Sequence, residues 1–221
     1  MTASPDHVTA AALAALGAAT LGESGGRAMR SRVRAAWPGA RLAAPAYPVV
    51  CTPGDNLAVH VAVTTAPEGS VLVVDVGNIA ELGYWGEVLT TGAEARGIVG
   101  LVIDGGVRDA AALAAHRFPV FSTQIALSGA TKQHPGSVGA TARVGGVDVS
   151  LGDWIVGDDD GVTVVPGADL AAVLTAGTAR ADKEDAMFAA LRSGRTTVEL
   201  LDLDPSPVEV SPIPPSPQEA P

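Results

Sequence analysis

The residues best suited to chemistry are Glu87, which follows the glycine-flanked turn Gly83-Tyr84-Trp85-Gly86, and the pair Arg108-Asp109 that comes after twenty intervening positions. A guanidinium offers a planar fork to a carboxylate, and a carboxylate can hold a hard divalent cation. The turn ending at Gly86 leaves the N–H groups of Glu87, Val88 and Leu89 at a predicted helix start. They lack intrahelical partners there and sit at the positive end of the helix dipole. A small carboxylate or phosphate fits such a place. It is not a nucleotide loop, because no Gly-Lys-Ser/Thr follows. With so few protein ligands in prospect, the pattern favours Mg²⁺ or Mn²⁺ keeping several waters over a closed zinc cage. The competing reading makes Asp109 the cap of the helix after it and Arg108 a surface charge.

These residues need a scaffold. The apolar runs at 71–76 and 100–103 are short and β-branched, and Asp75 and Asp104 lie at their ends. They read as buried parallel strands. Residues 87–96 have helical spacing and stop at Gly97. Residues 110–117 form a second predicted helix, and Phe118-Pro119-Val120-Phe121 a third strand. In a βαβαβ unit ligands bind in the crevice beyond the carboxyl ends of the strands. Asp75, Asp104, Arg108, Asp109 and the turn before Glu87 all fall at that edge. No lysine lies near the turn to form a Schiff base.

Residues 8–21 predict a first helix ending near Gly22, and residues 27–37 a second with basic residues on one face. Residues 41–51 alternate and carry prolines, which predicts an edge strand. Pro53-Gly54-Asp55-Asn56 is a turn, and residues 57–64 a short helix on which His60 reads as a packed histidine rather than a ligand. Residues 124–139, with Lys132 and His134, read as a polar surface loop. No second His or Cys stands at ligand spacing from His134. Residues 140–165 switch to a period of two and predict a β-meander. In it Asp158-Asp159-Asp160-Gly161 is a hairpin turn rather than a calcium loop, since strands flank it. Residues 168–192 predict one long helix. The tail from Leu203 to Pro221 is proline-rich and lacks positive charge, the composition of a disordered segment. The expected organisation is N-terminal helices over 1–40, an α/β domain over 41–200 and the tail over 203–221.

At 221 residues the chain can bury a full core. A net charge of −10 argues against a nucleic-acid or anionic-membrane partner, which needs clustered Lys and Arg. The lone Cys51 excludes an internal disulfide and suits a reducing cytoplasm. It reads as a small buried hydrophobe rather than a nucleophile. The apolar stretch 8–21 is too short to span a bilayer and lacks the preceding positive charge of a signal peptide.

Pro53-Gly54-Asp55-Asn56, Trp85-Gly86-Glu87, the run Val102-Ile103-Asp104-Gly105-Gly106-Val107-Arg108-Asp109, Phe118-Pro119-Val120-Phe121, and residues 152–162 occur in the order seen in the RraA-like family. The chain resembles that family, which includes 4-hydroxy-4-methyl-2-oxoglutarate and 4-carboxy-4-hydroxy-2-oxoadipate aldolases and the regulator of ribonuclease E activity. The resemblance implies a swivelling β/β/α-type domain assembled as a trimer or a dimer of trimers. It also implies a divalent-metal-dependent lyase that forms pyruvate from a 4-hydroxy-2-oxo diacid and decarboxylates oxaloacetate. Metal ligation would fall to Asp109, and carboxylate binding to Arg108 with the N–H groups at Gly86, Val88 and Leu89. Glu87 would hold metal-bound water, as would Glu184, reaching in from a neighbouring subunit. Two departures stand out: Glu87 replaces the aldolases' usual Asp, and Ala112 stands where they carry an acid. The alternatives are a non-catalytic regulator of a ribonuclease, in which an acid at position 87 has no use, and another enolate-forming lyase.

Overall fold

The computed structural model describes residues 5–211. The chain divides into two compact units, Met1–Arg180 and Ala181–Pro221. In the first, α1 (Pro5–Gly22) precedes two short strands, β1 (Arg27–Ala28) and β2 (Arg34–Ala35), then β3 (Leu42–Val50) and α2 (Leu57–Thr65). Next come β4 (Val71–Asp75), β5 (Gly83–Trp85) and α3 (Glu87–Glu94), then β6 (Gly100–Ile103), β7 (Gly106–Val107) and α4 (Ala110–His116). After β8 (Val120–Ser122), β9 (Gln124–Ile125) and β10 (Ser137–Val138), two hairpins follow. They are β11 (Ala142–Val144) with β12 (Val147–Val149), and β13 (Trp154–Asp158) with β14 (Gly161–Val165). The long α5 (Leu170–Arg192) continues into the second unit, which also holds α6 (Thr197–Leu200).

The main sheet runs β1-β14-β13-β3-β4-β6-β8-β2, with β10 also pairing β3. Its centre, β3-β4-β6-β8, is parallel. Both faces of that centre are covered, which is why β4 and β6 are runs of Val, Leu and Ile without alternation. Val71 to Val74 and Leu101 to Ile103 are fully buried. On one face Val59 and Ala62 of α2, Leu89 and Ala93 of α3 and Leu113 of α4 close a core. On the other the β11–β12 hairpin brings Ala142, Val144 and Val149 against Val73, Val102 and Phe121. Leu13 and Leu21 of α1 pack on Trp154, Val156 and Val165.

A second, three-stranded parallel sheet, β5-β7-β9, is what builds the site. Each of β4, β6 and β8 leads into one of its strands, so the connections leaving the main sheet are themselves stitched side by side. Trp85 pairs with Val107, and the Arg108 N–H donates to the Trp85 carbonyl at 2.9 Å. Positions 86–87 therefore lie beside 108–109 although twenty residues separate them.

Three expectations change. Residues 27–37 are not a helix. Met29 and Val33 are buried at helical spacing, but Gly25 and Gly26 break the chain and the backbone donors go to sheet edges: Met29 N–H to Val162 and Ala36 N–H to Val120, both at 2.8 Å. Strand β3 is interior to the sheet order rather than an edge. Its residues 42–45 pair with β13 and 46–50 with β4, so each half is open along part of one side, where a proline lacking its N–H is tolerated. The meander over 140–165 resolves into two hairpins in different sheets. The Asp158–Gly161 turn closes β13–β14 as expected. Asp158 also accepts the Ala18 N–H at 2.8 Å, next to the break in α1 at Gly17.

In the second unit, α6 starts with a capping box in which Thr196 and Glu199 accept each other's backbone N–H groups. Residues 203–211 are exposed and outside helix and strand, and residues 212–221 of the expected disordered tail lie outside the described residues. No described helix is long and apolar enough to cross a membrane.

Candidate active site

The connections after β4, β6 and β8 enclose a cavity of about 140 Å³ with Arg108, Asp109, Val88 and Leu89 in its wall. Its floor is rigid for identifiable reasons. Trp85 is buried, donates its indole N–H to Thr90 Oγ1 at 2.7 Å and stacks on Phe118 with centroids 5.9 Å apart. Tyr84 is buried, donates its hydroxyl to the Ile79 carbonyl and accepts the Gly54 N–H at 3.0 Å. The turn before α3 is thus pinned from both sides.

Asp109 does not cap its own helix. It adopts the left-handed conformation, φ 58° and ψ 36°, with no side-chain bond to α4. A non-glycine residue is rarely held there, and such strain is concentrated at functional sites. Its Oδ2 instead accepts the Glu87 N–H at 3.0 Å, across from the start of α3. That disposes of the capping reading for α4. Gly86 makes the approach possible, since a Cβ there would stand 2.4 Å from Asp109 Oδ2 and 3.0 Å from Arg108 Cγ. Cβ atoms at Gly83 and Gly129 would likewise meet the Arg108 side chain, at 3.2 and 3.4 Å. Three glycines form the slot in which the guanidinium arm lies, with Nε 3.8 Å from Asp109 Oδ2. The first intrahelical bond of α3 is Thr90 N–H to the Gly86 carbonyl, which leaves the Val88 and Leu89 N–H groups at the helix start.

Glu87 is placed differently from Asp109. Its carboxylate does not line the cavity but lies 3.6 Å from His116 Nε2, whose Nδ1 is 2.8 Å from Glu94. Hydrogen bonding to Glu94, then the nearby Glu87, raises the His116 pKa above the usual imidazole value. Asp104 and Asp75 also stand apart from the cavity: Asp104 pairs with Arg32 at 2.6 Å and accepts the Gly145 N–H, and Asp75 accepts the Gly77 N–H. They fasten loops at the sheet edge. Glu184 belongs to the second unit. Cys51 is buried, and burial together with Asp55 and Asp75 pushes its thiol up to about 12, so it remains a protonated core residue.

Three wall residues were not singled out as a site from the sequence: Asn56, His60 and Lys132. Asn56 is 4 % exposed and donates its amide to the Tyr84 carbonyl at 2.8 Å. Its Oδ1, and Nε2 of His60, are buried without a hydrogen-bond partner among the described residues. His60 is not simply a packed histidine, then. Burial, and then Lys132, push its pKa below the usual value against the pull of Asp55, and the ring is neutral near pH 7. The i,i+4 spacing of Asn56 and His60 at the start of α2 was the available signal. Nothing in the spacing tied Lys132 to them. Lys132 also corrects the expectation that no lysine approaches the turn, which holds along the chain and fails in space.

Lys132 is delivered by Asp55. This buried carboxylate accepts from Leu57 N at 2.8 Å, Thr131 Oγ1 at 2.7 Å, Gln133 N at 2.6 Å and His134 N at 3.1 Å. Burial alone would raise its pKa, but these four donors win and hold it well below the ordinary carboxylate range.

Asp109 is the one carboxylate in the cavity wall, and no group of three or more His, Cys, Asp or Glu converges on a metal position among the described residues. That donor set does not fit zinc. It fits a hard ion such as Mg²⁺ or Mn²⁺, which takes one or two carboxylates and completes its shell with water and substrate oxygens.

A family model described as RraA-like, Aldolase/RraA, matches residues 9–164. A candidate 4-hydroxy-4-methyl-2-oxoglutarate aldolase of Halalkalibacterium halodurans is 37 % identical over 126 residues, 57 % of this chain and 60 % of that protein. The match thus spans less than two thirds of the relative's length. Among solved structures, an uncharacterized protein from Pseudomonas syringae pv. tomato aligns with TM-score 0.76 and 26 % identity, covering 89 % of this chain and 93 % of the other. The RNA-processing inhibitor RraA from Thermus thermophilis aligns with TM-score 0.59 and 26 % identity over 64 % of this chain and 86 % of the other.

Proposed function

Because the chain belongs to the RraA-like family, we propose that it is a lyase that cleaves 4-hydroxy-4-methyl-2-oxoglutarate, or a related 4-hydroxy-2-oxo diacid, to pyruvate and a second oxo acid. Decarboxylation of oxaloacetate is the expected side reaction. The observation that carries this reading is the meeting of Arg108, a left-handed Asp109 and the Val88 and Leu89 positions at the start of α3 around one small cavity.

Arg108 takes the carboxylate beside the 2-oxo group, assisted by the Val88 and Leu89 N–H groups. Its charge is fixed where negative charge grows as the carbon–carbon bond breaks, a kind of stabilisation that contributes roughly 3–4 kcal/mol per donor in hydrolases. Lys132 supplies a second cation in the same wall, and two cations suit a diacid. Asp109 would hold a divalent ion, Mg²⁺ or Mn²⁺, with Glu184 acting through water from a neighbouring subunit of a trimer or hexamer. The Glu87 carboxylate, expected to hold metal-bound water, lies beside His116 and outside the cavity wall. When bound, such an ion supplies Lewis acidity toward the 2-oxo carbonyl.

The test is a pyruvate-coupled assay on hydroxymethyl-oxoglutarate and oxaloacetate with Mg²⁺ and with EDTA. Pyruvate release that EDTA stops supports the reading, and turnover indifferent to EDTA refutes metal dependence. Asp109→Asn tolerates the left-handed backbone and can still accept the Glu87 N–H, so it should keep the fold while losing at least about 100-fold in rate. An unchanged rate would return Asp109 to a purely structural role. The regulator reading predicts no turnover of either acid.

A further inference from the structure

Arg108, Asp109 and Lys132 are the charged side chains of the cavity wall. Arg108 lies in its glycine slot beside Asp109, whose Oδ2 accepts the Glu87 N–H. Lys132 has no such commitment. Among the described residues its Nζ makes only a long hydrogen bond, 3.4 Å to the Ala130 carbonyl, and no carboxylate comes within ion-pairing distance. Acids outnumber Lys and Arg 24 to 14 in this chain, yet none neutralises this lysine, which leaves its charge for a ligand. The backbone around it is anchored on both sides. Ser128 accepts the Gly83 N–H at 2.7 Å, the Thr131 carbonyl accepts the Asn56 N–H, and the Thr131 N–H donates to Gly54, both at 2.9 Å. Asp55 then gathers Thr131, Gln133 and His134. Lys132 therefore enters the wall from a segment paired with the approach to α2, whereas the Val88 and Leu89 N–H groups belong to the start of α3. A ligand that uses both places carries two negative groups.

We propose that Lys132 binds the C5 carboxylate of the substrate and thereby selects 4-hydroxy-2-oxo diacids over monoacids of the same carbon skeleton. This rests on the lyase reading above and assigns the far end of its substrate. Arg108 and the start of α3 keep the carboxylate at C1. The C5 carboxylate takes no part in bond breaking and leaves intact on the second oxo acid, so Lys132 sets specificity and moves no proton. An ammonium suits that task. It is a compact charge on a flexible stem, able to follow a carboxylate whose position shifts with the substituents at C4, where a guanidinium fork would demand one geometry.

The test is a binding comparison that needs no cleavage. 4-Methyl-2-oxoglutarate and 4-methyl-2-oxopentanoate both lack the C4 hydroxyl, so neither undergoes aldol cleavage, and they differ only in whether C5 is a carboxylate or a methyl group. Calorimetric titration in Mg²⁺ should show the diacid binding at least about 10-fold more tightly to the unmodified protein, the lower end for a hydrogen bond between charged groups. Lys132→Met should cut that preference to within about threefold, and Lys132→Glu, which sets like charge against the diacid, should reverse it. Both variants should fold, because Asp55 holds the loop through Thr131 Oγ1 and the backbone of Gln133 and His134 and not through the Lys132 side chain. Equal affinities in the unmodified protein, binding of neither acid, or an unaltered preference in the folded variants would overturn the C5 subsite, while the pyruvate assay still decides the lyase reading. A diacid preference that depends on Lys132 in a protein releasing no pyruvate would support the subsite and refute the lyase reading alone.

Discussion

Replacing Asp55 with Asn changes one atom's chemistry and little volume. The new amide can still accept the Leu57 N–H through its oxygen. Its NH₂ group, however, would face Thr131 Oγ1 and the Gln133 and His134 N–H groups, now gathered within 2.6–3.1 Å of Oδ2. Thr131 Oγ1 can accept from that NH₂ while donating to the Gly54 carbonyl, but the two N–H groups cannot accept. At about 1.5–3 kcal/mol for each hydrogen bond to a charged acceptor, two lost bonds set an upper range of about 3–6 kcal/mol. The loop is exposed and its donors can turn to water, which offsets roughly half, and the expected loss is about 1.5–3 kcal/mol. Urea denaturation of both proteins at pH 7 measures it, and amide exchange at Gln133 and His134 reports whether the loop loosens first. The pH dependence has a definite sign. The folded-state pKa of Asp55 is depressed, so its contribution is fully present above the unfolded Asp value of about 3.9 and is lost as pH falls toward the folded one. The gap between the two proteins should therefore be constant from pH 5 to 7 and narrow below about pH 4. A difference under 0.5 kcal/mol at pH 7 (about the scatter of a surface substitution), or a gap that does not narrow in acid, would refute the account of Asp55 as anchor of the Lys132 loop.

Other perturbations address the remaining contacts. Gly86→Ala puts a Cβ 2.4 Å from Asp109 Oδ2 and should cost about 1–3 kcal/mol by urea denaturation and at least tenfold in pyruvate release; a silent substitution would mean the carboxylate is not held there. His116→Gln should lower the melting temperature at pH 5.5, where protonated His116 is bonded to Glu94, and the gap should close as pH rises through the raised folded pKa. A gap growing with pH would contradict that pairing. If Glu184 completes a neighbour's site, mixed oligomers of Glu184→Ala and Arg108→Ala subunits should recover part of the activity that each lacks alone. No recovery in confirmed mixed oligomers would place Glu184 outside the site.

Local chemistry was legible where it is set by neighbours along the chain. The buried runs of β4 and β6 are continuous Val, Leu and Ile because parallel strands are covered on both faces, and that is visible without coordinates. The end of α3 near Gly97, which takes φ 70°, follows from glycine's freedom. Residues 27–37 misled because the spacing of Met29 and Val33 satisfies a helix as well as it satisfies a strap between two sheet edges. Only the edges offered by β14 and β8 decide which one forms.

For the site, the sequence alone determined the residue types, the glycine turn and the interval between Glu87 and Arg108-Asp109. It could not say which atoms meet. The tertiary structure made that decision through the small β5-β7-β9 sheet, whose register sets Gly86 against Asp109 and turns Asp109 away from capping α4. It also drew Lys132 into the wall through Asp55 and left Asn56 Oδ1 and His60 Nε2 buried without a hydrogen-bond partner among the described residues. Whether a buried polar atom is satisfied depends on every segment that folds against it, and most of those segments are remote in the chain.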